Sequence, residues 1–184
     1  GLVQLSRVLK RNPRIRILNL GGNDIESRGA TSYAEGLKFC TNLVEVDLAY
    51  NAIGPHGATA IADALKDNHT VKELNFAGDE VGDPGAIAIA ELLKVNNTIE
   101  RVSLSRNQID YKGALALAEM LKINSSLVNI ELHHNRLGAL GTLLIAYAAR
   151  VHTSLAELWV SNNHASKRFQ KIVSALRTSR LGIF

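Results

Sequence analysis

Apolar residues recur along the chain with a period of 28. Ile15, Leu43, Val71, Ile99, Leu127 and Leu155 open equivalent stretches, and Leu18, Val46, Leu74, Val102, Ile130 and Leu158 follow three residues later. Two residues further on stand Leu20, Leu48, Phe76, Leu104, Leu132 and Val160. Alternation at the last two positions predicts a short strand with one buried face. A polar column comes next: Asn23, Asn51, Asp79, Asn107, Asn135 and Asn163. An amide there can bond backbone groups of its own turn and of the neighbouring unit. Asp79 departs from the column, because an ionised carboxylate accepts but does not donate.

The second half of each unit has helical periodicity. Residues 57–66 place Ala58, Ile61, Ala62 and Leu65 on one stripe. Gly57, just before the stripe, reads as a tight turn. Basic residues then close the helices: Lys10, Lys38, Lys66, Lys94, Lys122 and Arg150. Two residues beyond them stand Asn12, Asn68, Asn96 and Asn124, with Cys40 and His152 as variants. Asparagine there is expected to close the helix in the left-handed conformation. Glu35, Asp63, Glu91 and Glu119 precede a lysine by three residues, a spacing that allows helical ion pairs.

A short strand followed by a helix, repeated at one period, predicts an α/β solenoid. Its parallel sheet lies on the concave side and its helices on the convex side. Gly1 falls in the column of Gly29, Gly57, Gly85, Gly113 and Gly141, so the chain opens inside a unit. Residues 1–14 read as the helix of a truncated repeat, 15–154 as five full repeats, and 155–184 as a degenerate repeat with a capping helix. Residues 1–184 are expected to form a single domain, a fragment of a longer chain. In the last unit Phe169, Ile172, Val173 and Leu176 form a stripe one residue early, and Leu181–Phe184 is an apolar tail.

The stretches LVEVDLAYNAI and LVNIELHHNRL carry the pattern L-x-x-L-x-L-x-x-N-x-L. With the G-A-x-A-I-A-x-A-L-K helix, they resemble the leucine-rich repeat family, ribonuclease-inhibitor-like subfamily. The units are similar to those of NOD-like receptors, tropomodulins and Ran GTPase-activating protein. The resemblance implies a right-handed, horseshoe-like scaffold that binds a protein partner and is not an enzyme. It also implies two alternatives: an actin-filament-end-binding module of tropomodulin type, or a GTPase-activating or innate-sensor regulatory domain.

Composition narrows the rest. The chain is 46% hydrophobic and 21% charged, with net charge +4. That balance suits a folded domain and does not by itself indicate nucleic-acid binding. Cys40 is the only cysteine, which excludes an intrachain disulfide and a zinc quartet and points to a reducing, cytoplasmic setting. The tropomodulin-type alternative would add association with the cytoskeleton. No apolar run reaches membrane-spanning length. The adjacent His133 and His134, with His164 in the next unit, have no partners at metal-ligand spacing. Neither a nucleophile–base set nor a phosphate loop is legible. No metal or cofactor is therefore expected, and the fragment is expected to be monomeric.

Partner recognition is expected where the repeat leaves residues free, on the strand face and just after it. The candidates are Glu45, Asp47, Tyr50, Glu73, Asn75, Arg101, Arg106, Glu131, His133 and Trp159. Ala49, Ala77 and Ser105 fall on the same outward map. Its carboxylates outnumber its cations in a chain that is basic overall, which suits a partner with a basic patch. Trp159, the only tryptophan, is a natural anchor unless the tail, through Phe184, covers it.

Overall fold

A computed structural model describes residues 7–9, 11–176 and 181–184. Gly1, Leu2, Leu5 and Lys10, which the repeat register also places, lie outside the described residues. Seven strands form one parallel sheet in chain order: β1 (Ile17–Asn19), β2 (Glu45–Asp47), β3 (Glu73–Asn75), β4 (Arg101–Ser103), β5 (Asn129–Glu131), β6 (Glu157–Trp159) and β7 (Gly182–Ile183). A helix follows each of the first six: α1 (Ser27–Leu37), α2 (Gly54–Leu65), α3 (Gly82–Val95), α4 (Tyr111–Leu121), α5 (Gly138–Val151) and α6 (Lys167–Ser174). This is the α/β solenoid that the periodicity predicts.

From β1 to β6 the strands pair with a shift of one whole unit, as in Glu45↔Glu73 and Glu73↔Arg101. Equivalent residues therefore stack in columns. The apolar columns make one continuous core between sheet and helices, with Val46, Leu48, Ile61, Leu65, Phe76, Ile89 and Leu104 fully buried. The helical stripe Ala58, Ile61, Ala62 and Leu65 faces it.

The asparagine column is the polar spine of that core. Asn107 Oδ1 accepts from the backbone amides of Asp79 and Val81 at 3.0 and 3.1 Å. Its Nδ2 donates to the carbonyls of Phe76 and Ser105. Asn51 and Asn135 repeat the arrangement, so each unit supplies partners that its neighbour's backbone lacks.

The second asparagine column has a different role from the expected one. Asn68, Asn96 and Asn124 do not adopt positive φ. They form another ladder, in which Asn96 Oδ1 accepts from Thr98 and Ile99 while Nδ2 donates back to Leu65 and Asn68 carbonyls. His152 takes the acceptor half of that role through Nδ1, toward Ser154 and Leu155. Cys40 is buried in the same column, and burial pushes its thiol pKa up.

Gly57 likewise is not a turn. It lies inside α2, which begins three residues earlier at Gly54. A Cβ on Gly57 would lie 2.5 Å from Ile53 Cγ2 and 2.7 Å from Ala30 Cβ, so the glycine lets α2 approach α1. The left-handed turn belongs to Gly54, with φ +67°.

The tail returns to the sheet. Gly182 and Ile183 pair in parallel with Glu157 and Leu158, adding a seventh strand where the repeat pattern shows six. Before it, α6 buries Val173, and Leu176 just beyond it is also buried, while Ile172 of the expected stripe remains exposed.

Candidate functional site: the strand face and its rim

One strand per unit, all parallel, leaves two outward columns on the sheet. The first is Ile17, Glu45, Glu73, Arg101, Asn129 and Glu157. Arg101 Nη1 lies 2.9 Å from Glu73 Oε1, so this rung is neutralised within the face. Asn129 Nδ2 donates to Glu157 Oε2 at 2.7 Å. Glu45 stands beside Glu73 without an ion pair of its own among the described residues.

The second column is Asn19, Asp47, Asn75, Ser103, Glu131 and Trp159. Its first three members turn back toward their own chain. Asp47 Oδ1 accepts from the Ala49 amide and Asn75 Oδ1 from the Ala77 amide, each at 3.0 Å, closing the strand end. Ser103 Oγ donates to Glu131 Oε2 at 2.9 Å. Glu73, Asn75, Arg101, Ser103, Asn129 and Glu131 surround a shallow depression of about 200 Å³ at the middle of the face.

Two residues beyond β2, β3 and β4 the expected map fails. Ala49, Ala77 and Ser105 are buried, because the chain there already turns in toward the asparagine spine. His133, in the same column, is half-buried. Burial lowers its pKa, against the upward pull of Glu131.

The next column forms the rim where the strands end. Its members adopt positive φ: Gly22, Tyr50, Gly78, Arg106, His134 and Asn162. Arg106 and Tyr50 are thus rim residues and not members of the sheet face. The Tyr50 ring lies over Gly78, where a Cβ would come within 2.6 Å of it.

Trp159 is not an open anchor. Its ring stacks on Phe184 with centroids 4.5 Å apart and planes at 24°. The tail strand brings Phe184 there, so the last rung is capped by the chain itself.

The convex side is self-paired at its helix ends. Lys38–Glu35, Lys66–Asp63, Lys94–Glu91 and Lys122–Glu119 are all ion pairs at the helical spacing. A larger depression, about 450 Å³, lies there between the ends of α1 and α2, lined by Leu37, Cys40, Asp63 and Asn68. It is at the edge opposite the rim and touches none of the strand-face candidates. Among the described residues no three His, Cys, Asp or Glu side chains are grouped to hold a metal. No helix among them is long and apolar enough to cross a membrane.

A family model described as Leucine Rich repeat matches residues 11–32, 39–62, 67–90 and 95–118, just over half of the chain. The chain belongs to the leucine-rich repeat family. No curated protein matches it. Among solved structures this leucine-rich repeat chain is similar to "Leiomodin-1 Actin-Binding Site 2 (ABS2)", with 27% identity and a TM-score of 0.68 over 79% of this chain and 85% of that one. It is also similar in fold to the tropomodulin C-terminal domain of Caenorhabditis elegans, with 14% identity and a TM-score of 0.60 over 93% of this chain and 90% of that one. Leucine-rich repeats of this kind are protein-binding scaffolds, and the outward columns are the part of the repeat that the core leaves free to vary.

Proposed function

We propose that the chain is a non-enzymatic scaffold that holds a protein partner on its concave strand face. Glu45, Asp47, Glu73, Asn75, Arg101, Glu131 and His133 supply the specificity there, with Tyr50 at the rim. One observation carries this reading. Five carboxylates (Glu45, Asp47, Glu73, Glu131 and Glu157) occupy the outward columns against one cation, Arg101, already paired to Glu73. The whole chain is at net charge +4, so the face opposes the average. A partner with a basic patch would be steered to it.

The test is affinity capture from cytoplasmic extract with wild type and the double variant Glu45→Lys, Glu131→Lys. The reading expects a protein retained by wild type and lost on charge reversal, with the circular dichroism spectrum unchanged. Equal retention by both would defeat it.

A second reading, that the partner is actin, is favoured by the likeness to the actin-binding site of leiomodin-1. It places the protein at the cytoskeleton in the cytoplasm. Cosedimentation with actin filaments and inhibition of filament elongation are its measurements, and failure of both removes it while leaving the scaffold reading intact.

A further inference from the structure

The rim of the last three units carries chemistry that the strand face does not use. Arg106, His134 and Asn162 occupy equivalent places in successive repeats, and Gln108, Arg136 and His164 stand two residues after them. All six are exposed, and they line one depression of about 280 Å³. No carboxylate lines it. We propose that this depression is an anion-binding site, which takes a carboxylate or phosphoryl group carried on an acidic segment of a protein partner.

No ion pair among the described residues neutralises the two guanidinium groups of the site. The ion pairs among the described residues tie down Lys38, Lys66, Lys72, Lys94, Arg101 and Lys122. Arg106 and Arg136 have no such partner there. Their planar guanidinium groups suit the two-oxygen edge of a carboxylate or phosphate. Gln108 and Asn162 add neutral donors, and the two imidazoles add further nitrogens.

Backbone conformation sets where these side chains stand. Arg106, His134 and Asn162 sit at φ +59°, +57° and +56°, and Gln108 and His164 at +57° and +58°. Side chains carry a penalty in that region that glycine avoids. The fold accepts glycine at the first of these positions, as Gly22 and Gly78 show at φ +68° and +72°. The same left-handed positions recur in other repeats, at Tyr50 for the first and at Asp24, Ala52 and Glu80 for the second, so the conformation belongs to the repeat, and in these three repeats it carries exposed polar and cationic side chains at the rim.

The site is also held in place before any ligand arrives. The Arg106 amide donates to His133 O at 3.0 Å and the His134 amide to Ser161 O at 3.1 Å, extending the inter-strand ladder into the rim. Asn162 Nδ2 and His134 Nε2 are 3.2 Å apart, linking neighbouring repeats through their side chains. Such preorganisation lowers the entropy lost on binding. The rim is cationic and the strand face carboxylate-rich, so the two surfaces select groups of opposite charge and are separately testable.

The experiment is calorimetric titration at low ionic strength with two probes, a polyglutamate peptide and a neutral-sequence peptide bearing one phosphoserine. At least one should bind, and added salt should weaken it. Arg106→Glu with Arg136→Glu should reduce affinity at least about tenfold, while Arg28→Glu with Lys112→Glu, the same charge change on exposed residues elsewhere, should not. Which probe binds decides between carboxylate and phosphoryl. Arg106→Gly should weaken binding yet raise the melting temperature, a combination that a purely structural arginine would not give. Absence of binding by both probes, an unaffected rim double variant, or equal loss in the control double variant would each overturn the proposal.

Discussion

The Asn51 backbone amide donates to Asp79 Oδ1 at 2.6 Å, while the other carboxyl oxygen, Oδ2, is buried with no hydrogen-bond partner. In the other rungs that second position is an amide nitrogen that donates to carbonyls. Asp79 can donate there only when protonated. Burial raises its pKa to about 7, against the opposing hydrogen bonds from the Asn51 and Ile53 amides. The folded protein thus holds a proton on Asp79 between about pH 4 and pH 7, where the unfolded chain has released it. This group's contribution to stability is greatest at the acid end, falls as pH rises through that window, and is constant above it. Asp79→Asn should abolish the decline and stabilise the protein at pH 8. A shift of about three units sets an upper bound of about 4 kcal/mol. Urea unfolding of both proteins from pH 4 to 8 checks this; parallel stability curves would refute it.

Gly57→Ala opposes two effects of known size. Alanine raises helix propensity by about 1 kcal/mol over glycine. The new methyl would lie 2.5 Å from Ile53 and 2.7 Å from Ala30, both in the packed interface of α1 and α2. Overpacking of that kind costs about 1–3 kcal/mol. Net destabilisation is expected, seen as a lower melting temperature, and a rise would show that the helices separate without strain.

The parts of the fold legible in the sequence are those that recur at the period. Leu48, Phe76 and Leu104 are alike because each meets the same surroundings one unit along, and the lysine–acid pairs at the helix ends follow from local spacing alone. Gly57 was legible as a special position, but a close contact to Ala30 of the preceding unit looks the same in sequence as a turn. The β7 strand was hidden because Leu181–Phe184 has no following units to mark its register. At the site, the pairing of Arg101 with Glu73 could be read from their separation of one unit. The rim depression could not, because the left-handed turns that gather Arg106, Arg136 and His164 leave no apolar pattern.

Phe184→Ala tests whether the tail covers Trp159. The indole is stacked on Phe184, and the tail also accepts the Val160 amide at 2.7 Å through its backbone. Removing the ring should expose the indole while the strand remains. As Trp159 is the only tryptophan, its emission should shift to longer wavelength, and quenching by iodide should increase. An unchanged spectrum would mean that the indole is already solvated in the wild type.

Asn107 joins two repeats through one side chain. It serves the Asp79 and Val81 amides as acceptor and the Phe76 and Ser105 carbonyls as donor, all in a buried setting. Asn107→Ala leaves up to four backbone groups without partners, at about 1–3 kcal/mol each. The expected loss, roughly 4 kcal/mol or more, is a large part of the 5–15 kcal/mol typical of a domain. Asn107→Asp should be milder, because it keeps the acceptor half and reproduces what Asp79 already does one unit earlier. It should also introduce a pH-dependent loss of the same sign as that of Asp79. Hydrogen exchange at the Asp79 and Val81 amides is the direct measurement: protection should collapse in the alanine variant and persist in the aspartate variant. Equal protection in both would show that the acceptor oxygen does not hold the repeats together.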